Sequence, residues 1–338
     1  MNRFLILLTY LLLFLPLPSL AGEVVINAVG DVMLAGRWAP SLRAAGYNHS
    51  FEQVATILKQ GDITIANLEA PIAEGGTEFR EKKFRFRSEP AVAAALRGAG
   101  ISLVTLANNH SMDFGSVALT ETLGHLDRAG IAWIGAGENL TEARKMALYT
   151  INGTRVAFLG YSLTQPTEFF AGSSRPGTAP AYEKLVLADV AAARRQADHV
   201  IVSIHWGTEG LRHVQPYQRL LAHRIVDAGA DVILGHHPHV VRGVERYHNA
   251  LIIYSLGNFT FASKSRTADS SMIVRLRLGD SLREAEILPL DILYRRVGFQ
   301  PRPMTGDRAD DFIRQLNLLS HPLGTTVEHR GGRYAIPF

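Results

Sequence analysis

The turn Gly235-His236-His237-Pro238-His239 places three imidazoles directly after the apolar run Val232-Ile233-Leu234. His237 and His239, one residue apart, can direct two ring nitrogens at neighbouring points, a pairing that suits divalent transition metals bound by neutral imidazole. Earlier apolar runs end the same way, in Asp31, in Glu69, in Asn109-His110 and in His205. Together Asp31, Glu69, Asn109, His205, His237 and His239 offer enough oxygen and nitrogen donors for two divalent cations ~3.5–4 Å apart, able to polarise a phosphoryl group and acidify a water. Their chemistry suits Mn, Fe or Zn. Two carboxylates against two dications leave a formal charge of about +2, which attracts an anionic ester. His110, next to one of these donors, is expected to protonate the leaving oxygen as general acid. Taken singly, each residue has a plainer use: Asp31 as a helix cap, Asn108-Asn109-His110 as a turn, His205 as a core histidine. Their joint occurrence at strand ends is what argues for chemistry. His49, His125, His199, His213, His223 and His248 lack that context, and no role is expected of them.

Elements must bring these residues to one place. Apolar, β-branched runs at 23–29, 63–66, 101–106, 131–135 and 199–204 read as buried strands, and 91–98, 116–128, 183–196 and 216–228 read as helices. A further helix is expected over 51–59 and another near 140–146. Asn152-Gly153 between two apolar runs predicts a hairpin turn. Residues 162–181, rich in Gly, Pro, Ser and Thr, read as a long loop or lid. This alternation predicts a layered α/β sandwich whose polar motifs share the edge where such sheets bind ligands. After residue 240 the pattern changes: 251–256, 272–278 and 285–292 read as strands that should pair antiparallel, followed by a helix over 307–319 and a weakly patterned end.

Composition narrows the chemistry. The 338 residues are 47% hydrophobic and 20% charged, which permits a large core and argues against disorder. The net charge of +4 is scattered, without a Lys/Arg block interleaved with aromatics, so nucleic acid is not an expected partner. Cysteine is absent, which rules out a thiol nucleophile, a zinc ribbon and an Fe–S cluster. Any metal must be held by His, Asn and carboxylates.

Arg3, the apolar stretch Phe4–Leu15 broken by Pro16 and Pro18, and Ser19-Leu20-Ala21 form an export-signal pattern. Residues 1–21 are therefore set apart from the fold, and the mature chain is expected outside the cytoplasm, in the periplasm or its equivalent. An uncleaved membrane anchor is the alternative. In Lys82-Lys83-Phe84-Arg85-Phe86-Arg87 cations and aromatics alternate, so a strand would put Lys83, Arg85 and Arg87 on one face. Arg87 is expected at the pocket rim, gripping a phosphate or carboxylate bidentately.

Longer blocks sharpen the reading. Gly30-Asp31-Val32-Met33, Asn67-Leu68-Glu69, Leu106-Ala107-Asn108-Asn109-His110-Ser111-Met112-Asp113-Phe114-Gly115, His205-Trp206-Gly207, Gly229 through His239 and Tyr254-Ser255-Leu256-Gly257-Asn258-Phe259 resemble the CapA family of poly-γ-glutamate capsule-synthesis proteins, in that family's order and over roughly 24–262. The resemblance implies a four-layer α/β/β/α fold of the calcineurin-like metallophosphoesterase superfamily over 22–300, with 301–338 as an extension packed on the same domain. It also implies an anionic polymer or phosphoester substrate contacted by Asn258, and membrane-bound capsule-synthesis proteins as partners. Two departures stand out. Phosphoesterases carry Asp-x-His where this chain has Asp31-Val32-Met33, and a bridging Asp where it has Asn67 and Glu69. An export or assembly factor that binds an anionic polymer without turning it over is therefore the alternative expectation.

Overall fold

Strand Val24–Met33 is almost wholly buried, and its side chains feed two different cores. Val24, Ile26 and Ala28 face one core and Val29 the other, the alternation a pleated strand imposes; an irregularity between Ala28 and Asp31 then lets Val32 and Met33 both join the outer core. A strand buried on both faces must sit inside a layered structure. The computed structural model describes residues 22–338; the expected export signal lies outside them. The first sheet runs spatially from Glu328–Arg330 through Arg333–Pro337, Leu282–Asp291, Ser270–Leu278, Val24–Met33, Ile63–Leu68 and Leu103–Thr105 to Ala132–Ile134. The second runs Val244–Tyr247, Ala250–Ile253, Val232–His236, His199–His205, Thr154–Ser162, Ala147–Ile151. Ile26, Ile65 and Leu103 of the first sheet share a core with Phe158, Ile201 and Leu234 of the second.

Helices Ala91–Ala99 and Gly115–Arg128 close the outer face of the first sheet through Val92, Leu96, Leu119 and Leu126. Glu183–Arg194 and Pro216–Asp227 close that of the second through Val186, Val190 and Ile225. The order is α/β/β/α, as the resemblance implied. Helix Asp307–Ser320 inserts Phe312 and Leu316 into the core between the sheets, and Arg333–Pro337 pairs antiparallel with Leu282–Asp291.

Parallel pairing sets the site. Asp31 lies abreast of Asn67 on one side and Asn258 on the other, and His205 lies abreast of His236. Gly30 permits this, since a Cβ there would stand 1.8 Å from the carbonyl oxygen of Gly257, which accepts the Asp31 amide at 3.0 Å.

Several expectations are corrected. Ala250–Ile253 runs parallel to Val232–His236 in the second sheet, and only Ser270–Leu278 and Leu282–Asp291 form the expected antiparallel pair. Over 51–59 there is a 3-10 turn, Tyr47–Phe51, and one short helical turn, Ala55–Leu58. The helix stops where the Asn27 amide and the Thr64 hydroxyl take the Leu58 carbonyl. Residues 162–181 do not form a free lid: Phe169, Phe170 and Ala179 are buried, and Gly177–Thr178 pairs with Ala136–Gly137. Residues 82–87 form no strand. Among the described residues, no helix is long and apolar enough to cross a membrane.

Candidate metal centre

Asp31 and Glu69 are both fully buried, an arrangement that costs free energy unless partners offset it. One donor serves both: Asn67 Nδ2 donates to Asp31 Oδ1 at 2.9 Å and to Glu69 Oε1 at 2.8 Å. Asn67 is oriented in turn by Asn108, whose amide donates to Asn67 Oδ1 and to the Leu68 carbonyl. The Asn108 oxygen accepts the backbone N–H groups of His110 and Ser111. Asn108 is thus the turn-former of its motif, which frees Asn109 and His110 to face the site.

Around the carboxylates the imidazoles converge. His236 Nδ1 is 3.0 Å from Asp31 Oδ1. His239 Nδ1 is 2.9 Å from Asn258 Oδ1 and 3.2 Å from Asp31 Oδ2, while its Nε2 is 3.8 Å from Glu69 Oε2. His205 Nε2 meets Asn109 Oδ1 at 2.9 Å, and its Nδ1 is 3.6 Å from Glu69 Oε1. The His205 and His237 rings lie 4.7 Å apart. His237 and His239 both have positive φ, 92° and 59°, a strained conformation for non-glycine residues that clusters at functional sites. The structure therefore gathers all six expected donors.

Burial pushes the Asp31 carboxyl up, but the His236 and His239 imidazoles outweigh it and hold Asp31 well below the usual carboxylate range. Burial, reinforced by the Asp31 charge, lifts Glu69 well above it. Burial depresses His205 strongly and His237 to about 3, so both rings are neutral with lone pairs available. Burial would depress His239 too, yet the Glu69 and Asp31 charges raise it to about 9.

These residues fit divalent cations. Among the described residues, Glu69 Oε2 and His237 Nδ1 are buried without a hydrogen-bond partner, and Asp31 Oδ2 meets the His239 ring at 3.2 Å; buried polar atoms without a partner are uncommon unless a ligand meets them. Donor atoms of Asp31, Glu69 and His239 all lie within 4.8 Å of one another.

His110 Nδ1 is 2.6 Å from the buried carboxylate of Asp113 and 3.2 Å from Lys82 Nζ. Its ring packs on Phe86 at 4.8 Å. Burial lowers the proton affinity of His110 against the pull of Asp113, so the ring is neutral rather than a standing acid. Lys82 Nζ sits 2.5 Å from Asp113 Oδ1 and also bonds the Asn109 carbonyl.

Two substrate contacts are corrected. Arg87 is exposed and turned away, its guanidinium 4.5 Å over the Phe114 ring and bonded to the Gly75 carbonyl. Without a strand over 82–87, Lys82 turns inward instead. Asn258 stands behind His239 as its hydrogen-bond acceptor, 5% exposed, where it orients the ring rather than meeting substrate. His236, Lys82, Asp113 and Glu209 also stand at or beside the site, with no role evident from the sequence alone. A His at the end of its own strand abreast of His205 was the available signal for His236; Lys82 and Glu209 lie in irregular segments with no periodic signal.

Of the six donors, His239 lines a cleft of about 460 Å³, with Met33 beside it. Arg37, Lys83 and Arg85 give it positive charge, Trp38, Phe84, Phe86 and Phe261 an apolar wall, and His110, Glu209 and His239 complete its lining.

In this four-layer sandwich the carboxylates come from strand ends of the first sheet and the imidazoles from strand ends of the second, and they meet where the two sheets face each other. The profile described as "Bacterial capsule synthesis protein PGA_cap" matches residues 25–263, and the chain belongs to that family. It is 32% identical over 268 residues to the "PGA biosynthesis protein CapA" of Bacillus subtilis (strain 168), covering 78% of this chain and 70% of the relative. It is 30% identical over 291 residues to the "Capsule biosynthesis protein CapA" of Bacillus anthracis, covering 84% and 70%. A hypothetical protein from Thermus thermophilus shares the fold, with a TM-score of 0.50 at 18% identity, over 79% of this chain and 99% of its own.

Proposed function

We propose that this chain is an exported, metal-dependent hydrolase-like protein acting on an anionic cell-envelope polymer of the poly-γ-glutamate class, or on a phosphoester formed during its synthesis. The observation that carries this reading is the cluster of buried carboxylates and imidazoles around His239, which itself lines a cleft bearing Arg37 and Lys83. The names of the Bacillus relatives supply the polymer class. Asp31, Glu69, Asn109, His205, His237 and His239 would hold two divalent cations, which supply Lewis acidity toward an ester or amide oxygen. Asn258 and Asn67 orient that set. Arg37 and Lys83 draw the anion in, and the aromatic wall excludes water along one side. Asp113 fixes Nδ1 of His110 and leaves Nε2 to receive or return a proton at the reacting oxygen. Capsule-synthesis proteins in the membrane are the partners this reading calls for.

Met33 supports a second reading, a polymer-binding assembly factor without turnover: the thioether is 2% exposed and packs in the outer core, so it adds no imidazole to the site. Metal analysis of protein purified without chelator, beside assays on phosphomonoesters, phosphodiesters and poly-γ-glutamate, tests both. Bound Mn, Fe or Zn with turnover supports the hydrolase. Polymer binding without turnover supports the factor. Protein that neither holds metal nor binds any of these anions overturns both.

A further inference from the structure

Glu209 is exposed, so its position over the site needs a cause, and three tethers provide one. The Gly210 N–H donates to the Pro238 carbonyl at 2.9 Å, between His237 and His239. Arg242 Nη2 donates to the Thr208 carbonyl at 3.0 Å and Nε to the Leu211 carbonyl at 2.6 Å, on either side of Glu209. Arg242 is itself fully buried, three residues past His239, and its Nη1 donates to Gln218 Oε1 at 2.6 Å. It pairs with no carboxylate among the described residues. Burying an unpaired guanidinium is costly, so the loop–turn junction it clamps is a built feature. Gly207, at φ 95°, makes room: a Cβ there would stand 2.6 Å from Arg242 Nη1.

The clamp brings donor atoms of Glu209, His237 and His239 within 4.8 Å of one another. His237, 9% exposed, has an Nδ1 that meets no partner among the described residues. Glu69, Asp31 and His239 form a second such trio, and His239 is common to both.

We propose that Glu209 is a ligand, completing with His237 a cation position beside the one that Asp31, Glu69 and His239 define; with Nδ1 of His239 held by Asn258, its Nε2 serves one cation only. This rests on the metal-centre reading and adds a third anionic donor to it, bringing two dications to a net charge of about +1. A carboxylate at the cleft mouth closes the coordination from the solvent side, and Arg242 acts as its positioning residue.

The test is equilibrium dialysis of chelator-stripped protein against Zn²⁺, with bound metal counted by mass spectrometry, for the wild type, Glu209→Gln and Glu209→Asp. Because Glu209 is exposed, neither variant removes core packing. Glu209→Gln is expected to weaken the weaker Zn²⁺ site by on the order of tenfold or more, with Glu209→Asp in between. A Glu209→Gln isotherm that overlays the wild type overturns this assignment and leaves the metal centre standing. A wild type that takes up no Zn²⁺ overturns the metal centre itself, and the assignment with it.

Discussion

Asp31 and Glu69 share a single hydrogen-bond donor, the Asn67 amide, at 2.9 and 2.8 Å. Glu69 Oε2 is buried without a hydrogen-bond partner among the described residues, and the nearest cationic group to it, His239 Nε2, stands 3.8 Å away. Burying the Glu69 charge is therefore only partly offset. Glu69→Gln keeps the shape, removes one charge and relieves the repulsion that lifts the Glu69 carboxyl. In the presence of chelator this variant is expected to be more stable than the wild type by about 1–3 kcal/mol, the scale of an unsatisfied buried polar group. Added metal should stabilise the wild type by more than the variant. Urea midpoints with chelator and with Mn²⁺ check both halves.

His237 carries strain as well as a donor. At φ 92° a residue with a Cβ is unfavourable, while glycine is not. His237→Gly and His237→Ala should lose bound metal equally, with the glycine variant the more stable by roughly 0.5–1 kcal/mol. Metal content and thermal unfolding of the two variants side by side decide this. If alanine is the more stable, backbone strain is not stored at this turn.

The site was legible where apolar runs end in polar residues, because parallel strands deliver their C-terminal ends to one edge. Asp31, Glu69, Asn109, His205, His237 and His239 follow from that rule, and the register of Asp31 with Asn67 and of His205 with His236 shows why it works. Alternation of strands and helices announced a layered α/β sandwich, and the family resemblance supplied its four-layer order. What stayed hidden depends on contacts far apart in the chain. Glu209 is aimed by Arg242, and Lys82 by Asp113. Ala250–Ile253 joins the second sheet because its next residues cross to pair with Asp31, which no periodicity records. The strand Arg333–Pro337 is half exposed and short, and its pattern is too weak to read.

The cleft cations should separate from the cation that lies off it. Arg37 and Lys83 line the cleft, whereas Arg87 stacks on Phe114. Arg37→Gln and Lys83→Gln are each expected to weaken binding of a poly-γ-glutamate oligomer by about 0.3–1 kcal/mol at low salt, an amount that shrinks as salt rises. Arg87→Lys should leave the titration unchanged. Fluorescence titrations of the three variants at two salt concentrations check it, and weakening by Arg87→Lys alone would reverse the assignment of the cleft.

Asp291 ties the C-terminal helix to the first sheet. Its carboxylate, 3% exposed, accepts Arg296 Nε at 2.6 Å and Nη2 at 2.8 Å, and also bonds Arg308 of helix Asp307–Ser320. Burial would raise this carboxyl, but Arg296 and Arg308 together hold it below 3.8, its ordinary value. A carboxylate whose pKa is lower folded than unfolded adds stability above the unfolded value and loses it as pH falls through the folded one. Its contribution is therefore complete at neutral pH and fades only below about pH 4. Asp291→Asn is expected to cost about 1.5–3 kcal/mol at pH 7, the range for a hydrogen bond to a charged group. The gap between wild type and variant should narrow steadily toward pH 2. Urea unfolding at pH 7, 5, 4 and 3 measures it, and a gap that stays constant across that range would mean the arginines are held by shape rather than by charge.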